Sequence, residues 1–583
     1  MLLSIEKSLT TVQRICGPFG RIREESVRLG SYVRCDTIPP RRMRSLILLA
    51  IALVAPPVLA QTPGSCALGT AQEFLSAGDV QASVFNNGNL FFGGSTTSAD
   101  GYIVPKASGN SPMFAAGIWV SGTVDGESRV SAARYNGYLF RPGPLNADGT
   151  LPNASDCSAY DRIYVVGASE IAAYESGQAP ARDLADWPVG LGAPTVDADG
   201  DPAAVSSRDQ TIDLAAGERP DLHGSEMAFW VMNDVGAPRA GNQTAPLGFE
   251  VQVTAFVIAT DGDLPGASEA SFYRFRVINR STSTIENARW SFFTDPDLGD
   301  AGDDFVGVDT TRSLAFVYNA NNEDRSYGSP PPAVGYDILS HELAATSSFL
   351  GAGGPPGAED PNTPERYYNY MQGLWGNGTP YYEQGNGFQQ PGAPTTTFMF
   401  AGDPVTESLY SEVNTDGNGT DSPQGDRRYV ATVAFGALAP GDTTRVDMAI
   451  LYALGTSNLD SITELRGVSD GVQDAYAAGL LFRSPRLVAH EDGPQLNELV
   501  LGSVHPNPTA SSLTVPYRLA SPSPVELAVY DVLGRQVIEL VNARQPEGTQ
   551  EAVLDASALA PGVYVVRLRA GEETRTTRIT VVR

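Results

Sequence analysis

Between Phe249 and Ile258 the chain alternates strictly, with Phe249, Val251, Val253, Ala255 and Val257 on one parity and Glu250, Gln252 and Thr254 on the other. A two-residue period places the two sets on opposite faces of an extended strand and does not fit a helical stripe. The turn-forming run Asp261-Gly262-Asp263-Leu264-Pro265-Gly266 follows, and a second strand pattern covers Ser271 to Asn279. This region therefore predicts an antiparallel pair with a hairpin-type connection. Similar signals recur at 118–120, 162–166, 227–232, 289–293, 314–318, 429–435 and 445–454. One stretch, 461–481, reads as a helix, with Ile462, Leu465, Val472, Ala475 and Tyr476 near 3.6-residue spacing and Asp460 as the expected N-cap. The 60 glycines and 42 prolines suit many turns between short strands. The expected fold class is all-β: a multidomain body of β-sandwich type with one short helical segment.

The 583 residues allow three or four domains. Expected boundaries are a non-native extension at 1–42, a signal peptide at 43–60, and β-rich domains at 61–220 and 221–482. A linker at 483–496 and a terminal domain at 497–583 complete the division. The leader rests on Met43-Arg44, the apolar run Leu46 to Val54, and small residues before a cut after Ala60; Met43 is then the expected true start. No later apolar run is long enough to predict a membrane span in the mature chain. A formal net charge of -28 argues against nucleic acid as a partner. Cys16 and Cys35 precede the expected start, leaving Cys66 and Cys157 either to pair as a disulfide in an oxidising compartment or to stay as thiols.

Signatures of chemistry are sparse. His223, His341, His490 and His505 lie in unrelated contexts, and neither HExxH nor a paired-cysteine zinc pattern occurs. No catalytic residue or organic cofactor site is assigned. The densest group is acidic: Asp295, Asp297, Asp300, Asp303 and Asp304, with Asp309 shortly after. Calcium takes six to eight oxygen ligands, so these six aspartates are the candidate calcium ligands, the other reading being a solvated acidic turn. Asn414 to Gly419 and the trio Asp197, Asp199 and Asp201 are weaker echoes of the same chemistry. Tyr367, Tyr368, Tyr370, Trp375, Tyr381, Tyr382 and Phe388 form an aromatic group that either packs a core or presents rings to sugars.

The C-terminal segment carries ordered landmarks. His505-Pro506-Asn507-Pro508 opens a turn, and Val525 to Val529 alternates as a strand. Tyr530 to Arg535 makes a strand and turn, and Leu559-Ala560-Pro561-Gly562-Val563-Tyr564 leads into a final hairpin. Together these resemble the C-terminal sorting domain (Por secretion tail) of type IX secretion system substrates. The resemblance implies a small immunoglobulin-like β-sandwich at 497–583, recognised by the type IX machinery. It also implies passage through the periplasm to the outer-membrane surface or the medium. Phrases of the body, among them Gly117-Ile118-Trp119-Val120, Phe229-Trp230-Val231-Met232-Asn233-Asp234 and Met399-Phe400-Ala401-Gly402-Asp403-Pro404, resemble an uncharacterised module of Bacteroidota-like exported proteins. The expected function is a structural or adhesive cell-surface or secreted protein, with a cell-surface polysaccharide as a candidate anchor. The alternative is an extracellular hydrolase acting on polysaccharide or protein, with aspartates of the acidic loop as acid and base.

Overall fold

The computed structural model describes residues 66–582 apart from 93–100, 136, 153–156, 238–242, 263, 351–354, 408–409, 414–422, 483–499, 502–508, 510–511, 520–521, 531–534, 546–547 and 572. The expected extension, leader and linker lie outside the described residues, as do His490, His505 and the Asn414 loop.

Two antiparallel sheets build the body. The first runs, in spatial order, through Gln72–Leu75, Gln81–Phe85, Asn89–Leu90, Ala115–Val124, Ile285–Asp295, Arg428–Leu438 and Ala345–Phe349. The second runs through Asp304–Asp309, Leu314–Asn319, Ala333–Ile338, Thr443–Ala453, Ser271–Asn279, Phe249–Val257, Glu226–Asn233 and Arg141–Pro142. The expected hairpin forms, with Val253 opposite Phe275. The division expected near residue 220 runs through both sheets, because Ala115–Val124 pairs with Ile285–Asp295 and Tyr164–Gly167 pairs with Glu226–Asn233.

The inner faces share one core, in which Ile118, Val120, Trp290 and Phe292 of the first sheet meet Val251, Val253, Phe275 and Val277 of the second. Each outer face is covered as well. A helix at Asn458–Ala477 lays Ile462, Leu465 and Val472 over the second sheet, in one buried cluster with Phe316 and Leu451. A short helix at Pro364–Tyr370 helps cover Trp119, Phe293 and Val430 of the first. Phe249–Val257 is consequently buried at every position. Its polar parity is satisfied in place: Arg280 pairs with Glu250 at 3.1 Å, and Arg276 donates to Gln252 at 3.0 Å.

The long helix begins three residues earlier than expected. Ser457, not Asp460, is the N-cap, its hydroxyl accepting from the Asp460 amide at 3.1 Å. Asp460 sits in the first turn and accepts from Thr456. At the other end, Gly479 adopts φ 69°, while its amide bonds to Tyr476 and that of Leu480 to Ala475. This reversal stops the helix short of 481. Three shorter helices, Ala168–Glu175, Arg182–Ala185 and Pro364–Tyr370, accompany it among the described residues. Cys66 and Cys157 form a disulfide across 91 residues of sequence, with a Cα–Cα distance of 5.6 Å.

The C-terminal region is a separate small sandwich. A three-stranded sheet contains Val500–Leu501, Ser512–Leu519 and Gly548–Asp555; a four-stranded sheet contains Gln536–Gln545, Ser523–Tyr530, Gly562–Ala570 and Glu573–Val581. The alternating residues Val525, Leu527 and Val529 meet Leu513, Val515, Leu554, Val566 and Leu568 in a common core. The turns at 505–508 and 531–534 lie outside the described residues.

Candidate metal centre

The acidic run follows directly from the sandwich topology. Asp295 ends a strand of the first sheet and Asp304 begins a strand of the second, so residues 296–303 cross between the sheets. Leu298 plugs the core beneath this crossing. Gly299, at φ 80°, lets the chain close on Asp324, where an added Cβ would fall 2.2 Å from the carboxylate.

The six expected ligands separate. Asp295 and Asp297 come together with Asp426, one carboxylate oxygen of each lying within 4.8 Å of the others. Asp426 joins through strand pairing: Arg428–Leu438 runs antiparallel to Ile285–Asp295, so its entry lies beside that strand's exit. Asp300 and Asp303 face elsewhere. The Asp300 amide donates to Asp324, its carboxylate lies 3.5 Å from Arg325, and burial raises the Asp303 carboxyl. Asp304 is fully buried, accepting from the Leu298 amide at 3.2 Å through Oδ2, while its Oδ1 has no hydrogen-bond partner among the described residues. Asp309 is excluded, being held by Arg312 at 2.8 Å and Arg466 at 3.3 Å.

Arg428 is the positive charge set into the cluster, 3.4 Å from Asp295 and 2.5 Å from Asp426, and Tyr135 donates to Asp295 at 2.5 Å. That compensation is incomplete. Burial raises Asp295 to about 6 against the lowering effect of Arg428 and Tyr135. Burial also raises Asp297 to about 7, with the Asp295 and Asp426 charges adding to it. Burial pushes Asp304 well up, and Asp297 adds to the rise. At Asp309 burial acts upward too, but Thr311, Arg312 and Arg466 outweigh it and hold the group low.

The donor set suits a hard cation. Two oxygens bound at about 2.4 Å from one ion can stand at most about 4.8 Å apart, and three carboxylates with one arginine leave a net negative site. Beside it lies a cleft of about 560 Å³, lined by Trp375, Met399, Phe400, Glu412, Asp426 and Arg427.

The trio at Asp197, Asp199 and Asp201 is a self-closed turn. Asp197 Oδ1 accepts from the Asp199 and Asp201 amides, closing its own turn. Of the aromatic group, Tyr370, Trp375 and Tyr381 are buried, while Tyr367, Tyr368, Tyr382 and Phe388 stay partly open. His223 packs against Phe256 and Phe482. A G-x-S-x-G elbow was not expected from the sequence, yet the string Gly467-Val468-Ser469-Asp470-Gly471 has that spacing. It lies inside the long helix, with buried Ser469 donating to Asp337 at 2.6 Å, so it forms no strand-to-helix elbow.

Sequence reading missed Asp426, Arg428 and Tyr135. The one local hint was the charged triplet Asp426-Arg427-Arg428 directly before the strand pattern at 429–435.

The described chain is thus a two-sheet β body followed by a small sandwich with its own core. Residues 503–582 match the family described as the secretion system C-terminal sorting domain. The chain thus carries a type IX sorting tail, a segment for recognition by that machinery and delivery to the cell surface or beyond. No curated protein matches the chain. Among the described residues, no helix is long and apolar enough to cross a membrane.

Proposed function

We propose that the cargo is a structural or adhesive protein of the cell surface or secreted fraction, whose body is clamped by calcium at Asp295, Asp297 and Asp426. The observation that carries this reading is the meeting of three carboxylates at one sheet end. Asp304 stands behind them with an oxygen that has no hydrogen-bond partner among the described residues. An ion there ties the end of one central strand to the entry of its neighbour and to the crossing loop, which is a bracing role. A cell-surface polysaccharide is the matching anchor.

Calorimetric titration of the EDTA-treated full chain with calcium chloride tests the reading. Heat of binding in the parent, lost in Asp297→Asn/Asp426→Asn, is expected; absence of heat in the parent overturns it.

A second reading, hydrolysis of polysaccharide or protein, draws on the fact that Asp426 belongs both to the cluster and to the adjoining cleft. Turnover of polysaccharide or protein substrates that disappears in Asp297→Asn would establish it over the first.

A further inference from the structure

A groove on the outer face of the first sheet shares no residue with the carboxylate cluster. Two depressions, of about 150 and 270 Å³, both include Val130, Thr244 and Pro364, so they form one continuous trough. Its floor is the strand Glu127–Arg134, and the helix Pro364–Tyr370 forms one wall.

The lining combines two kinds of surface. Val130, Pro364 and the rings of Tyr367 and Tyr368 supply flat apolar area. Tyr367 is fixed edge-on against the buried Trp119, with ring centroids 4.7 Å apart. The Tyr368 hydroxyl lies 3.4 Å from Thr123 Oγ1. Both rings are therefore positioned before any ligand arrives, which lowers the ordering cost of binding. Around them stand uncharged hydroxyl and amide side chains, of which Ser128 and Asn362 are exposed. Among the described lining residues Glu365 is the one carboxylate, on a chain whose formal net charge is -28.

Rings that stack, amides and hydroxyls that bond, and almost no charge make a surface for a neutral, hydroxyl-rich ligand with an apolar ring face. We infer that this trough binds neutral oligosaccharide, the rings of Tyr367 and Tyr368 stacking on sugar rings while the side chains of Ser128 and Asn362 bond to hydroxyls. Anionic polysaccharide is disfavoured by Glu365 and by the field of the acidic chain. This gives the adhesive reading a ligand class, and it stands or falls independently of calcium.

The test is calorimetric titration of the full chain with cellohexaose, maltohexaose, mannohexaose and xylohexaose, with oligogalacturonate as the anionic control. Binding of at least one neutral hexaose and none of the control is expected. Tyr368→Ala should weaken that binding by at least tenfold. Ser128→Arg, which adds bulk and charge at an exposed position without disturbing the core, should do the same even if the tyrosine variant folds poorly. Glu323→Gln, at an exposed position outside the trough, should leave it unchanged. No heat with any neutral hexaose, equal binding of the anionic control, undiminished binding in Ser128→Arg, or loss of binding in Glu323→Gln would each overturn the inference.

Discussion

Arg427 Nη2 lies 2.7 Å from Glu412 Oε1 in an ion pair whose side chains are 6% and 1% exposed. Further hydrogen bonds hold the pair: Val306 donates to Glu412 at 2.7 Å, and Arg427 donates to the Pro423 and Gly425 carbonyls. Removing one partner leaves a buried charge alone. Glu412→Ala is therefore expected to cost about 3–5 kcal/mol, whereas the joint change Glu412→Leu/Arg427→Met should cost far less. Urea denaturation of the three proteins checks the difference; equal losses in the single and joint variants would refute it.

Asp337 sets a pH dependence. Burial raises its carboxyl to about 7, although hydrogen bonds from Ser469 and Gln473 and the charge of Arg312 act downward. Unfolded, the group returns to roughly 3.9. A raised folded value means that its contribution is fully present below about pH 4 and is lost as pH rises through about 7. Asp337→Asn removes the titration. Between pH 5 and pH 8 the variant should gain roughly 2–3 kcal/mol relative to the parent, read from denaturant midpoints at the two pH values.

Calcium should raise the thermal midpoint of the full chain, because an ion that binds the folded state alone stabilises it by about 2.7 kcal/mol at a hundredfold excess over Kd. The variants separate the site from general charge effects. Asp426→Asn should abolish the shift. Asp309→Asn should retain it, since Asp309 already serves Arg312 and Arg466. Scanning calorimetry with calcium and with EDTA is the measurement.

How far this site was legible follows from strand geometry. Asp295 and Asp297 stand two residues apart, and their proximity could be read directly. Asp304 and Asp309 bound one strand, and five extended steps of about 3.4 Å carry Asp309 roughly 17 Å away. No count of carboxylates along the chain shows that separation. Asp426 is 131 residues beyond Asp295 and reaches it only because Thr294 pairs with Tyr429. Register is set by the whole sheet, so the third carboxylate of the cluster was hidden. The alternation at 249–257 was plain by contrast, because its apolar parity faces the shared core. What alternation could not show was the cover over the opposite face, where Glu250 and Gln252 are buried with arginine partners. The helix start was misplaced for a local reason: Ser457 and Asp460 are both competent caps, and the pattern alone does not choose between them.

The Cys66–Cys157 bond supplies a last prediction, since it closes a loop of 91 residues through the first sheet. Chain-entropy reasoning gives such a loop about 4–5 kcal/mol of stabilisation, and measured losses on removing native disulfides run about 2–5 kcal/mol. Cys66 is also tied by its amide to Gly236 at 3.2 Å and by its carbonyl to Arg141 at 3.3 Å. These contacts should hold the start of the body in place even without the bond. Cys66→Ser/Cys157→Ser should therefore lower the denaturation midpoint by an amount in that range while leaving the core at Trp119 and Phe293, whose rings stack at 5.2 Å, intact. Hydrogen exchange is the discriminating measurement. Protection should fall first near residues 66–75 and persist in Ile285–Asp295, and simultaneous loss in both would show that the bond holds the sandwich rather than its edge.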